Sequence, residues 1–126
     1  MKFENPEVFE NNLLKITLQE NKDAIEVKWN GKSTDRDPGA FISPILLNVL
    51  ELSSRDNKAI RMDFRELEYM NSSTITPIIK ILERAKRGTN TLTVIYNKAL
   101  KWQDLSFSAL EIFQTQDQRV EIRGLT

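Results

Sequence analysis

Apolar and polar positions alternate in two runs near the start of the chain. Leu14, Ile16 and Leu18 alternate with Lys15, Thr17 and Gln19, and Ile25, Val27 and Trp29 alternate with Glu26 and Lys28. A period of two is that of a half-buried strand. The polar stretch Glu20-Asn21-Lys22-Asp23 between the runs predicts a hairpin. Asn30-Gly31 is expected to end it, and Lys32 to Gly39 to form a polar loop. Ser43-Pro44 predicts a helix start, with a hydroxyl to cap and a proline where the missing N–H costs nothing. Ile45, Leu46, Val49, Leu50 and Leu52 form its apolar face, and Ile60, Met62 and Phe64 predict a short strand. Ile75, Ile78, Ile79, Leu82 and Ala85 recur at the spacing of one buried helical stripe, which Gly88 is placed to terminate. Leu92, Val94 and Tyr96 predict a strand, Lys101 to Phe113 a third helix, and Val120 to Arg123 a closing strand.

The expected order is β-β-α-β-α-β-α-β. Helices alternating with short apolar strands imply an α/β domain, with a central mixed sheet packed with about three helices. Residues 1–12 are polar and are expected to form a loosely held leader, leaving 13–126 as one domain.

Composition narrows the chemistry more than the fold. The chain has 126 residues, 40% of them hydrophobic, which suffices for a core without disulfide or metal. It has no Cys and no His, which excludes a Cys/His zinc site, a thiol nucleophile, a Ser-His-Asp triad and an imidazole pH switch. Eighteen basic and 18 acidic residues balance, and neither half departs far from neutrality, so no nucleic-acid footprint is present. The polar start Met1-Lys2-Phe3-Glu4-Asn5-Pro6 is unlike a secretory signal, and no apolar run approaches a membrane span. A cytoplasmic protein is expected.

The segment from Asp63 to Ile79 carries the candidate chemistry. A strand leads into a short acidic loop, then Asn71-Ser72-Ser73-Thr74, then the clearest helix. Hydroxyls at a strand-to-helix junction sit near unpaired N–H groups and the positive end of a helix dipole, where an anion is well received. The same residues serve many helices simply as caps. Thr76-Pro77 offers a second start, which would leave the serines in an exposed turn before the helix.

This stretch resembles the STAS family, the domain of the bacterial anti-sigma factor antagonists. There a strand ending in Asp is followed by a hydrophobic pair, an Asp-Ser-Ser-Gly signature and an amphipathic helix. Asp63 stands at the strand end, Tyr69-Met70 is the pair, and Asn71 to Thr74 lie over the signature. Asn71 replaces the acidic residue and Thr74 the glycine. That version is similar to a divergent branch of regulatory phosphoproteins, the SiaC-like group linked to biofilm control. Gly31, Ser33, Phe41, Pro44 and Ile45 are loosely similar to it as well.

The resemblance implies a non-enzymatic partner switch and two alternative phosphoacceptors. These are Ser73 by analogy with the antagonists and Ser72 by analogy with the SiaC-like group, with Asp63, Tyr69, Asn71, Thr74 and Thr76 supporting them or contacting a partner. The implied partners are a Ser/Thr kinase of the anti-sigma type, a PP2C-type phosphatase, and a regulatory target bound by the unmodified form. No cofactor is implied. The alternative is an interaction or small-ligand sensor module of the same fold that is never phosphorylated.

Other features point less far. Lys80, Arg84, Lys86 and Arg87 read as a solvated helix face with a Glu83–Arg87 pair, and Trp29 and Trp102 as core or rim residues. Asp35, Asp37, Asp63, Glu66 and Glu68 match no metal loop. No Lys follows a Ser at three positions in the serine motif, and the four glycines are isolated, so neither a Ser-x-x-Lys site nor a phosphate loop is present.

Overall fold

The structure is a computed structural model and describes residues 6–126. Strands β1 (Glu7–Asn11), β2 (Leu14–Glu20) and β3 (Ala24–Ser33) lead into helix α1 (Pro38–Asp56). Strands β4 (Ala59–Asp63) and β5 (Leu67–Met70), a 3-10 turn (Ser72–Thr74) and helix α2 (Ile75–Arg87) follow. The chain ends with β6 (Leu92–Asn97), α3 (Lys101–Ser108), a second 3-10 turn (Ala109–Phe113) and β7 (Val120–Leu125). The fold is α/β, with a mixed seven-stranded sheet and three helices.

Strand order is β1-β2-β3-β4-β6-β7, and β5 lies beside the end of β3. The first three strands are antiparallel, and the pairs from β3 onward are parallel. Register explains the burial. Leu18, Val27, Met62, Val94 and Ile122 line up as one row across five strands, all within the core. The three helices pack on that face through Ile42, Ile45, Leu46 and Val49 of α1, Ile78 and Leu82 of α2, and Phe107 of α3. The neighbouring row, Thr17, Lys28, Asp63, Ile95 and Arg123, faces the other way. Ile95 is buried yet stands outside the core cluster.

Five expectations are corrected. Within the expected leader of residues 1–12, Glu7–Asn11 pair with β2 along their whole length, while residues 1–5 lie outside the described residues. Backbone bonding makes this strand, since its side chains are mostly exposed. β3 continues past Asn30-Gly31 to Ser33 through a register shift, with Gly31 at φ 86°. α1 begins at Pro38, six residues before Pro44. Asp37-Pro38 supplies the same kind of start, and Pro44 lies inside the helix on its exposed side, without the N–H for one backbone bond. The acidic loop after Asp63 contains a further strand, β5. The third helix changes to 3-10 geometry after Ser108.

β7 ends the sheet, and the outward backbone groups at its start are occupied. Thr115 donates its N–H to the Val120 carbonyl and accepts from the Val120 N–H at its hydroxyl (3.1 and 3.0 Å). The Gln114 side-chain oxygen accepts from the Ile122 N–H at 3.0 Å. Arg119, just before the strand, donates to the carbonyls of Ala85 and Lys86 and so closes the last turn of α2.

Candidate functional site

The serine motif occupies the turn between β5 and α2. Asn71 has extended backbone geometry and caps that turn, its Oδ1 accepting from the Thr74 N–H (3.1 Å) and the Thr74 hydroxyl (2.8 Å). Its Nδ2 donates to the Asp35 carbonyl (2.7 Å), and its own N–H donates to the Ser33 carbonyl (3.0 Å). Thr74 is fully buried, with its hydroxyl 2.7 Å from that of Ser33. A hydroxyl has one proton. Because Thr74 gives its own to Asn71, Ser33 is the donor of that short bond.

Asn71 and Thr74, the two positions that differ from the Asp-Ser-Ser-Gly pattern, thus have structural roles. An aspartate at position 71 could accept from Thr74 but could not donate to the Asp35 carbonyl, whereas the amide does both. A glycine at 74 would leave Ser33 buried without a partner, at a cost of about 1–3 kcal/mol. The network extends further, since the Asp35 carboxylate accepts from the side chains of Asn11 and Asn12 at the β1–β2 turn. Asn71 lies 36 residues beyond Asp35 and further still beyond Ser33, so no local pattern announced that they meet. The cavity beside them, lined in part by Ser33, Asp35 and Phe41, measures only 10 Å³, about the space of one water.

Ser72 and Ser73 are different. Both are exposed, and neither hydroxyl has a hydrogen-bond partner among the described residues. α2 begins at Ile75, directly after them, with Pro77 buried in its first turn where no N–H is needed. Tyr69 (48% exposed) and Thr76 are also at the surface. The turn therefore separates the candidates into two groups. Asn71 and Thr74 hold the scaffold, while Tyr69, Ser72, Ser73 and Thr76 present surface.

Asp63 belongs to neither group. It is buried on the sheet face away from the helices, where Arg65 donates to it from its backbone N–H (3.0 Å), Nε (3.0 Å) and a terminal guanidinium nitrogen (2.8 Å). None of its hydrogen bonds among the described residues reaches the serine turn. Burial alone would push its carboxyl up, but the bonds and charge of Arg65 outweigh it and hold the carboxyl below the usual range. A depressed folded-state pKa stabilises the fold above the unfolded value of about 3.9, and that share is lost as pH falls through the folded value. We expect the stability gap between wild type and Asp63→Asn, measured by urea unfolding, to be largest near neutrality and to narrow in acid. A gap independent of pH would refute this assignment.

The aromatic and acidic candidates resolve simply. Trp29 is fully buried in a stack with Phe64 (4.7 Å between centroids) and Phe107, and its indole N–H has no partner among the described residues. Trp102 packs half-buried against Phe107. Among the described residues no three carboxylates gather as a metal site, and no helix is long and apolar enough to cross a membrane. The sequence matches no family model and no curated protein.

Proposed function

We propose that this protein is a bacterial, cytoplasmic STAS-like signalling domain that changes partners when Ser72 or Ser73 is phosphorylated. The observation that carries this reading is the pair of exposed serine hydroxyls, without intramolecular partners, in a turn whose flanking residues are locked into the scaffold. A kinase of the anti-sigma type can reach such hydroxyls without opening the fold. The added charge of about −1.5 to −2 lies at the head of α2, where the helix dipole favours it. Its effect falls on whatever docks there. A regulatory target that fits the neutral surface around Tyr69 and Thr76 meets repulsion and desolvation cost after modification, and a PP2C-type phosphatase restores the contact. The protein itself performs no catalysis in this scheme.

The test is mass spectrometry with site localisation after incubation with ATP and a lysate of the native host. The expected result is one phosphate on Ser72 or Ser73, lost in the matching alanine variant. A chain that stays unmodified, or carries phosphate only elsewhere, overturns the reading. Because these hydroxyls hold nothing in place, the Ser72→Asp/Ser73→Asp variant should stay within about 0.5 kcal/mol of wild type in stability.

A further inference from the structure

Helices α1 and α2 run beside one another and leave a cleft of 340 Å³ between them. Leu46, Leu47, Pro77 and Ile81 supply its apolar lining, with Leu47 43% exposed. Lys80, Arg84 and Arg87 supply its basic side, spaced four and three residues apart along one stripe of α2. The cleft continues past Leu47 and Arg84 towards Leu50 and Arg55.

No side chain among the described residues holds these three cations. Arg55, Arg61, Arg65, Arg119 and Arg123 are all ion-paired. Lys80, Arg84 and Arg87 have no ion-pair or side-chain hydrogen-bond partner among the described residues, and the expected Glu83–Arg87 pair does not form. A helix carboxyl end ordinarily explains such residues. Here the last carbonyls of α2 are already taken, those of Ala85 and Lys86 by Arg119 and that of Arg84 by the Gly88 N–H.

We infer that this cleft docks an acidic amphipathic helix of a partner protein. Apolar side chains of that helix cover Leu47 and the lining beneath it, and carboxylates repeating at helical spacing meet Lys80, Arg84 and Arg87. The apolar share of the lining, which a helix with an apolar stripe covers, disfavours a phosphate backbone. Ser72 and Ser73 do not line the cleft, so the inference holds whether or not they are phosphorylated.

The test uses the full ¹⁵N-labelled chain and a fluorescent synthetic helix with leucines on one stripe and glutamates flanking it. Saturable binding is expected, with amide shifts confined to residues 43–50 and 77–87. Lys80→Glu/Arg84→Glu and, separately, Leu47→Asp should each weaken it at least about tenfold at low salt, with unchanged circular dichroism. A lysine-flanked version of the peptide should bind the charge-reversed variant and not the wild type. The inference fails if no saturable binding occurs, if the shifts fall elsewhere, or if neither variant weakens binding. It also fails if anionic vesicles or a single-stranded oligonucleotide displace the peptide.

Discussion

Replacing Phe64 with alanine should lower the melting temperature by roughly 10–25 °C, the largest fall expected of any single truncation described above. Phe64 is fully buried just beyond β4, with its ring 4.7 Å from that of Trp29 and 4.6 Å from that of Phe107. It therefore joins β3 to α3 through one continuous aromatic stack. Removing such a ring costs about 3–5 kcal/mol, from a total stability on the order of 5–15 kcal/mol. Its backbone is tied as well, through its N–H to the Ile95 carbonyl and its carbonyl to the buried Gln103 amide. The surroundings cannot readily collapse into the void. A thermal melt followed by circular dichroism decides the matter, and a shift under about 3 °C would mean the stack is dispensable. Phe64→Leu, which keeps more of the volume, should lose less than half as much.

Gly31→Ala is expected to be almost as severe for a different reason. Gly31 sits at φ 86°, and a Cβ there would lie 2.0 Å from the Leu13 carbonyl oxygen. That oxygen belongs to the β1–β2 turn and accepts from the Lys32 N–H at 3.0 Å. Neither side of the clash is a side chain that could swing away, so the hairpin must shift. The cost should exceed the ~1 kcal/mol of an ordinary glycine replacement and reach about 3 kcal/mol. Urea unfolding should show a lower midpoint with an unchanged slope. Amide exchange should quicken first in β1 and β2, and a wild-type midpoint would show that the turn accommodates the methyl group.

The strands that build the core were legible because their side chains are what hold them: Ile16, Val27, Val94 and Ile122 alternate in sequence and in burial alike. β1 and β5 were not legible. Leu67 is the one fully buried side chain of β5, and β1 has none, so backbone pairing with β3 and β2 sustains them and leaves no periodic trace. Pro44 misled because Ser43-Pro44 carries the same start signal as the true start at Asp37-Pro38, and α1 tolerates the proline inside it. Near the serines, local sequence showed which residues stand together between β5 and α2. It did not show that Asn71 needs both halves of its amide, since Ser33 and Asp35 reach it from the end of β3 and the loop beyond. The unpaired state of Arg84 and Arg87 was equally hidden, because the residue that caps α2 in their place, Arg119, lies more than thirty positions away.

The two ends of the sheet differ in a way that bears on assembly. At β7 the Val120 N–H and carbonyl and the Ile122 N–H, which another strand would need, are already taken by Gln114 and Thr115. At β1 the outermost strand is met by nothing further along the sheet among the described residues. Stacking of copies edge to edge requires two sticky ends per molecule, and one of the two is obstructed here along its first residues. Joining of sheets at β1 therefore favours a closed pair over a cross-β filament, whose second growth point would have to displace Gln114 and Thr115 before it could elongate.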